Sequence, residues 1–415
     1  MPELSGRARL APPSPIRRLA PLAEAARARG IHVHHLNIGQ PDLATPDPMR
    51  AALGKFQDET IAYGPAEGLP ACRTAWRQYY TEAGLPLSDS EFVVTTAGSE
   101  ALLFALAAVA NPGDRVLVPE PLYANNLGFA TLLGIEVVPI PCTVEDGYHL
   151  PENLASYLAP RTRAILYANP GNPTGTVYRR RELERIAALA EEHDLFVIAD
   201  EVYREFVYAG AEPGSGVLAS GRSLSVLELE GLEERAILVD SFSKRYSLCG
   251  ARIGAIASRN PELMAAVRRF AMARLSPPVL GQLVAAAAVE LGADYFATVR
   301  TSYRRRRDLA VKALRAIPGV SCPEPEGAFY VMARLPIPDA EAFVKFLLES
   351  FAIDGETTML APANGFYATP GAGQSEVRVA YVLEEERLAR ALRIVAEGLR
   401  AFQAASRPVA TARAS

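Results

Sequence analysis

The segment AILVDSFSKRYSLCGARIG, residues 236–254, joins an apolar run to a lysine and an arginine set among small residues. A continuous apolar run of this kind predicts a strand that is covered on both faces of a sheet. Lys244 follows closely after the run, and strand ends are where ligand-binding groups collect in open α/β sheets. The segment therefore predicts an α/β fold with a functional site that includes Lys244 at the edge of its sheet.

Further strand candidates of the same apolar kind occur between about residues 91 and 258. They are FVVT (92–95), RVLVPEP (115–121), IEVVPI (135–140), RAILYANP (163–170), LFVIADE (195–201) and ARIGAIA (251–257). Helix-like segments lie between several of them, at 99–110, 123–134 and 179–193. Alternation of strands and helices over this length predicts a large α/β domain whose mostly parallel sheet is covered by helices.

The pattern changes after about residue 290. A long charged helix at 294–316 is followed by an apolar run at 327–335 and a helix at 339–350. A second apolar run at 377–382 and a final helix at 384–403 follow. This order predicts a smaller α+β domain that the N-terminal segment completes. We expect four parts along the chain: a loosely ordered segment at 1–15, a small domain of 16–55 and 291–403, a large domain of 56–290, and a flexible tail at 404–415.

The composition of the 415-residue chain is that of a globular protein, with 49% hydrophobic and 22% charged residues. A formal net charge of −4 argues against a nucleic-acid partner bound through its phosphates. No apolar run approaches the roughly 20 residues that span a bilayer, and the early APPSP segment lacks the apolar core of a signal peptide. We expect a cytoplasmic protein that binds neither nucleic acid nor membrane. The HVHH segment, 32–35, has no cluster of further ligands nearby, so we expect no metal site.

The segment TTAGSEALLFAL, 95–106, predicts a strand end, a turn of small residues and the start of a helix. Free backbone N–H groups and the positive dipole at a helix N-terminus attract anions, and Gly98 allows a close approach. Ser99 adds a hydroxyl donor. An ordinary helix start with Glu100 in the first turn explains the same residues. The segment alone leaves phosphate binding and a structural cap both open.

Two further strand ends carry polar side chains. Asn172 lies in YANPGNPTGTVY, 167–178, where prolines and glycines are typical of a turn and the amide is free to meet a ligand. Asp200 ends the apolar run LFVIA, and Tyr203 follows three residues later. A carboxylate is costly to bury unless a cationic partner lies beside it. That partner is either a protein side chain or a ligand.

A strand-end lysine, a strand-end aspartate, a helix start suited to phosphate and a nearby arginine are together the parts that hold pyridoxal 5'-phosphate. Lys244 would form a Schiff base with the aldehyde of the cofactor. Asp200 would pair with the protonated pyridine nitrogen and keep the ring an electron sink. The phosphate would be neutralised by Gly98, Ser99, Ser241 and Arg252.

These motifs resemble those of the fold-type I pyridoxal-phosphate enzymes, and specifically the class I and II aminotransferases. The resemblance extends over roughly residues 30–403. It rests on NIGQPD (37–42), YGPAEG (63–68), AGSEAL (97–102), NPGNPTG (169–175), DEVY (200–203), SFSKRYSLCGARIG (241–254) and VRVAYV (377–382). It implies amino-group transfer between an amino acid and a 2-oxo acid, with the cofactor in the large domain.

The resemblance also implies roles for individual residues at the cofactor. Lys244 would hold the cofactor and move the proton between it and the substrate carbon, and Asp200 would pair with the pyridine nitrogen. Tyr203 and Asn172 would donate to the ring hydroxyl, and Tyr123 would stack on the ring. The phosphate cradle would again be Gly98, Ser99, Ser241 and Arg252.

The remaining implied roles concern the substrate and a second subunit. Arg378 would bind the α-carboxylate of the substrate through two parallel hydrogen bonds, and Gly39 would lie at the mouth of the same pocket. Tyr63 would reach the cofactor phosphate of a neighbouring subunit. The resemblance therefore implies a homodimer with shared active sites.

Two features of the sequence bear on which amino acid donates the amino group. Some bacterial relatives that use aspartate carry a lysine where Ser99 stands, and that lysine contacts the second carboxylate of the substrate. Segments 355–373 and 375–386 nevertheless resemble a bacterial subgroup of aspartate aminotransferases. We expect aspartate as donor and a 2-oxo acid such as 2-oxoglutarate as acceptor.

Three alternatives stay open. Two keep the cofactor: an aminotransferase for aromatic or other amino acids, and a β-eliminating C–S lyase. The third is a cofactor-sensing transcription regulator built on the same fold. Such regulators resemble this chain only beyond an N-terminal DNA-binding domain, whereas here the sheet pattern begins early and the first residues are not strongly basic.

Overall fold

The computed structural model describes residues 2–57, 59–292 and 294–405. Most of the expected tail, 406–415, lies outside the described residues. The strands are β1 His32–His35, β2 Phe92–Thr96, β3 Arg115–Glu120, β4 Glu136–Pro141, β5 Thr162–Ala168, β6 Phe196–Asp200, β7 Ala236–Ser241, β8 Ile253–Ala257, β9 Tyr330–Arg334, β10 Glu356–Met359, β11 Ala361–Pro362 and β12 Glu376–Ala380.

The helices fill the intervals between these strands and both ends of the described chain. They are α1 Gly6–Leu10, α2 Ala20–Ala28, α3 Asp47–Ala52, α4 Pro70–Glu82, α5 Ala97–Val109, α6 Asn125–Leu133, α7 Arg180–Glu192, α8 Phe242–Arg245, α9 Pro261–Arg274, α10 Val279–Ala286, α11 Asp294–Arg315, α12 Ala340–Ser350 and α13 Glu385–Ala405. Short 3₁₀ turns occur at Leu53–Lys55, Leu154–Tyr157, Val226–Glu228, Ala287–Glu290 and Ala363–Phe366.

Within the described residues, seven strands form one sheet in the order β2-β8-β7-β6-β5-β3-β4. The five strands from β7 to β4 run parallel, and β8 runs antiparallel to both β2 and β7. Strands β6 and β7 are almost wholly buried, as their unbroken apolar runs predict. The predicted mostly parallel α/β sheet is confirmed. Because the parallel strands share a direction, Asn172, Asp200 and Ser241 come at or beyond the same edge of the sheet.

The later part of the chain forms two smaller sheets. Strands β11, β12 and β9 pair antiparallel, and β1 pairs parallel with β10, so that Val33 lies opposite Thr357. The N-terminal residues Leu19 and Leu36 belong to the same hydrophobic cluster as Leu347 and Leu388. The N-terminal segment thus packs with the C-terminal third. The proposed domain boundaries themselves stay a prediction.

Residues 2–13 are exposed and include the short helix α1, whereas Pro15 is buried. A Cβ added to Gly365 would overlap the Pro15 ring, which shows how closely this proline packs. Among the described residues, no single helix is long and apolar enough to cross a membrane. One bent pair, Val279–Glu290 with Asp294–Arg315, meets that test only jointly and across a bend of 102°.

Candidate active site

A cavity of about 670 Å³ lies at the carboxyl ends of β6 and β7, beside the start of α5. All of the predicted site residues except Tyr63 line it, namely Gly39, Gly98, Ser99, Tyr123, Asn172, Asp200, Tyr203, Ser241, Lys244, Arg252 and Arg378. Its volume is within the ~300–1,000 Å³ of small-molecule sites. The fold therefore brings together side chains that are up to about 340 residues apart in the chain, because each follows a strand end or a turn at this edge.

Asp200 is the last residue of β6 and is buried, with 9% of its surface exposed. One of its carboxylate oxygens accepts from the Val202 N–H at 3.3 Å. In the described chain no cationic side chain lies within ion-pair distance of it. Burial raises the pKa of Asp200 to about 7, and the charge of Lys244 acts in the opposite direction. A buried carboxylate without a counter-ion favours a cationic ligand group.

Lys244 lies in the single turn of α8. Its ammonium donates to the Gly39 carbonyl at 2.8 Å and lies 3.8 Å from the Cys249 sulfur. Lys244 forms no ion pair within the described residues. The turn begins at Ser241, whose hydroxyl accepts from the Ser243 N–H at 3.1 Å and lies 2.9 Å from the Ile253 carbonyl. Ser241 therefore fixes the turn that presents Lys244 to the cavity.

The start of α5 forms a concave set of backbone donors. The Ala97 N–H donates to the Arg252 carbonyl at 3.1 Å, whereas the N–H groups of Gly98 and Ser99 have no protein acceptor in the described parts of the chain. A Cβ at Gly254 would lie 2.5 Å from the Ala97 carbonyl carbon, so only glycine lets β8 approach this turn. Two free amides at the N-terminus of a 13-residue helix suit an anion.

The alternative interpretation of this helix start, a structural cap, accounts for part of the segment. The Glu100 carboxylate accepts from the Thr96 N–H at 2.7 Å and pairs with Arg274 at 3.2 Å. Glu100 is thus engaged away from the free amides. Arg252 is exposed at the cavity and has a positive φ of 59°. Its guanidinium donates to the Cys249 carbonyl at 3.0 Å, which leaves its other donors available to an anion.

Arg378 lies in the middle of β12 and is 1% exposed. Its guanidinium donates to the Asn172 side-chain oxygen at 3.0 Å and to the Asn37 carbonyl at 2.7 Å. It also lies 4.3 Å from the Tyr330 ring centre. Its Nε has no partner, and no carboxylate pairs with it, among the described residues. Burial lowers the pKa of Arg378, and a buried guanidinium in this state favours an anionic ligand.

The model of the family described as aminotransferase class I and II matches residues 31–410. The chain belongs to the class I and II aminotransferases. Members of this family depend on pyridoxal 5'-phosphate, and their substrates are small molecules. The chain is therefore an aminotransferase enzyme.

Named relatives and solved structures match this aminotransferase over nearly its whole length. A probable aspartate/prephenate aminotransferase of Aquifex aeolicus is 31% identical over 93% of this chain and 96% of its own length. Aromatic-amino-acid aminotransferase 2 of Thermococcus litoralis is also 31% identical, over 94% and 96%. The structure of the aspartate aminotransferase from Thermus thermophilus with maleate is 29% identical and superposes with a TM-score of 0.83, covering 96% of this chain and 100% of that one. The chain is therefore an aspartate aminotransferase-like enzyme.

Three other predicted residues also line the cavity of the aminotransferase. The Tyr203 hydroxyl is 2.8 Å from the Tyr330 hydroxyl, and burial raises the pKa of Tyr203. Tyr123 lines the cavity, accepts from the Asn125 amide at 2.8 Å, and has its pKa raised to about 12 by burial. Because Arg378 can only donate, its bond with Asn172 directs the Asn172 oxygen toward it and leaves the NH₂ as a donor without a partner among the described residues.

Tyr63 lies elsewhere. It is 84% exposed and does not line the cavity. This position neither supplies a contact within one subunit nor contradicts the predicted contact with a neighbouring subunit. The prediction for Tyr63 therefore stays a prediction that depends on the assembly.

Sequence reasoning missed two parts of the aminotransferase site. Tyr330 touches Tyr203 and Arg378, and a Cβ at Gly39 would overlap the Tyr330 hydroxyl. The GAFYVMARL run predicts a strand but not the strand with which it pairs. In the structure Tyr330 pairs with Ala380, and this register places Tyr330 diagonally across from Arg378. The second missed part is the N-terminal segment, from which Ser14, Ile16 and Arg17 line the cavity.

Proposed function

We propose that this aminotransferase uses pyridoxal 5'-phosphate to transfer an amino group between aspartate and a 2-oxo acid such as 2-oxoglutarate. One observation carries the proposal: a single cavity presents two buried charges of opposite sign, Asp200 and Arg378, that have no protein counter-ion among the described residues. A ligand set with a cationic ring nitrogen and a carboxylate satisfies both. When bound, the cofactor supplies an aldehyde that captures amines and a ring that withdraws electrons from the reacting carbon.

Asp200 would hold the protonated ring nitrogen. Its carboxyl has a pKa of about 7 because of burial, so near neutral pH it is only partly ionised without a partner. A cationic nitrogen beside it would favour the ionised form. Asp200 would thereby keep the nitrogen protonated throughout the reaction.

Lys244 would supply the amine that holds the cofactor and then the base that moves the substrate proton. The chain has four lysines, and Lys55, Lys312 and Lys345 are exposed away from the cavity. Lys244 alone of the four lines it. The amine must lose its proton to act as a nucleophile. Its bond to the Gly39 carbonyl directs the nitrogen into the cavity.

The remaining contacts would orient the cofactor. The free amides of Gly98 and Ser99 would bind the phosphate, and the guanidinium of Arg252 would assist. The Ser241 hydroxyl would assist by turning its single proton from the Ile253 carbonyl to the phosphate. Tyr123 would stack on the ring. The ring hydroxyl would accept from Tyr203 and from the free NH₂ of Asn172.

Arg378 would bind the α-carboxylate that every amino-acid substrate shares. A planar guanidinium matches a carboxylate with two parallel hydrogen bonds. The contacts to Asn172, Asn37 and Tyr330 hold this guanidinium in one orientation before substrate arrives. Pre-positioned donors of this kind reduce the cost of ordering the site on binding.

A homodimer is supported by an exposed apolar patch. We use that name for Leu53, Ile61, Tyr63, Met272, Leu275 and Leu280, which are 51%, 59%, 84%, 60%, 54% and 37% exposed. The segments that carry them are in contact, since the turn Leu53–Lys55 packs on α10, Gly64 lies against Val279, and the Arg274 guanidinium donates to the Ala66 carbonyl at 3.3 Å. Apolar patches of this kind mark interfaces. A second subunit on this patch would bring Tyr63 to the partner's active site. The cytoplasmic location stays a prediction from the sequence.

The donor preference is tested by a panel of amino acids with 2-oxoglutarate as acceptor. The named aspartate aminotransferase relatives support aspartate, whereas the Thermococcus relative supports the aromatic alternative. We expect aspartate and glutamate to exceed phenylalanine, leucine and alanine by at least ~10-fold in kcat/KM, a difference of about 1.4 kcal/mol.

Three other outcomes of the panel are distinct. A win for an aromatic or aliphatic donor would overturn the aspartate assignment and leave the aminotransferase intact. Keto acid and ammonia formed without any acceptor would favour the C–S lyase alternative. Failure with every donor, in protein that holds the cofactor, would contradict the proposed reaction itself.

A further inference from the structure

The cavity carries more positive than negative charge. Among the described residues that line it, the cations are Arg17, Lys244, Arg252 and Arg378, and the one carboxylate is Asp200. Three of these cations have tasks in the proposed function: holding the cofactor, its phosphate and the substrate α-carboxylate. Arg17 has none. A cation that lines a ligand cavity without a partner indicates a further anionic group on the ligand.

Hydrogen bonds fix the backbone next to Arg17 close to Arg378. The Asn37 side chain donates to the Ile16 carbonyl at 2.8 Å. The Asn37 carbonyl in turn accepts from the Arg378 guanidinium at 2.7 Å. One asparagine therefore links the residue before Arg17 directly to the proposed α-carboxylate site.

The flanking residues anchor the segment on its other side. Pro15 is buried against Gly365, and the Arg18 guanidinium donates to the Asn364 side chain at 2.7 Å and pairs with Glu341. Arg17 itself is exposed and forms no ion pair or side-chain hydrogen bond within the described residues. Its backbone is held while its guanidinium is free to meet a ligand.

We propose that Arg17 binds the second carboxylate of a dicarboxylic substrate whose α-carboxylate is bound by Arg378. This inference rests on the proposed function and names the residue that selects aspartate within it. Ser99 carries no charge, and the free amides at the start of α5 are assigned to the phosphate, so this end of the helix offers the second carboxylate only the Ser99 hydroxyl. Arg17, in the N-terminal segment, supplies the positive charge that Ser99 lacks. Its guanidinium also offers the two donors that suit a carboxylate.

The first test isolates the donor half of the reaction in the holoenzyme. Rapid mixing of cofactor-loaded protein with aspartate or alanine, without any acceptor, follows the absorbance change of the cofactor. We expect Arg17→Gln to lower the second-order rate constant for aspartate at least ~10-fold, in keeping with the loss of a hydrogen bond to a charged group. The constant for alanine, which has no second carboxylate, should change by less than about threefold.

Two variants serve as controls in the same experiment. Arg17→Lys keeps the charge and should recover a large part of the aspartate rate constant. Arg304→Gln removes an arginine that is exposed on α11 and has no ion pair in the described chain, and it should match the wild type with both donors. Equal losses for aspartate and alanine in Arg17→Gln, or no loss for aspartate, would overturn the inference.

The second test needs no turnover. Titration calorimetry compares succinate, which has two carboxylates, with propionate, which has one. The wild type should bind succinate more tightly, and Arg17→Gln should remove that preference without changing how much cofactor the protein retains. Unchanged succinate affinity in Arg17→Gln would contradict the role of Arg17 even in protein that fails to transaminate. Loss of cofactor in Arg17→Gln would instead assign Arg17 to the phosphate and equally overturn the inference.

Discussion

Burying the charged groups of Asp200 and Arg378 lowers the folding stability, and a bound ligand with groups of opposite charge compensates for that loss. Because burial raises the pKa of Asp200 from 3.8 to about 7, the cofactor-free native state binds more protons than the unfolded chain between those values. Its stability therefore falls as pH rises through that window, by as much as about 4 kcal/mol. We predict that Asp200→Asn raises the melting temperature of the cofactor-free protein at pH 8, with the difference shrinking toward pH 4.

The substitution that stabilises the cofactor-free protein should impair catalysis once the cofactor is bound. Asp200→Asn should retain the fold yet lower kcat far more than it raises KM, because the charge matters most when the reacting carbon carries negative charge. Glu24→Gln, an exposed site on α2, controls for the loss of one carboxylate. A melting curve that responds to pH as the wild type does, or an unchanged kcat, would remove Asp200 from this role.

At the scale of elements, apolar runs predicted the strands of the large sheet to within about two residues, because buried strands need few polar interruptions. They did not predict that β8 runs antiparallel, since a run of apolar residues has no direction. Nor did they predict that Gly254 on β8 lets this strand pack against the first turn of α5. Tyr330 was missed for the same reason: its place depends on the pairing of β9 with β12.

At the scale of the whole molecule, contacts between residues far apart in the chain place side chains that no sequence motif could locate. Arg17 reaches the cavity only because Pro15 and Arg18 pack against residues more than 300 positions later, whereas a motif shows only its own neighbourhood. The apolar patch is a further property of the assembled surface. We predict that the wild type sediments as a dimer of 44.6 kDa chains and that Leu53→Asp with Ile61→Asp sediments as a monomer with reduced activity.

Leu132→Asp is the matched control for the patch, since this leucine is 52% exposed on α6. It should leave the dimer intact. A monomeric wild type, or a dimer that survives both charges in the patch, would contradict the proposed interface and with it the role of Tyr63.

The central claim, that Lys244 carries the cofactor in this cavity, has one direct measurement. Cofactor-loaded protein is treated with borohydride, which fixes the cofactor to the amine that holds it, and is then digested and analysed by mass spectrometry. With four lysines in the chain, each can be scored separately. We predict the added mass of the reduced cofactor on Lys244 and its absence from Lys55, Lys312 and Lys345, with no activity in Lys244→Ala. Label on another lysine, or transamination by Lys244→Ala at the wild-type rate, would contradict the account.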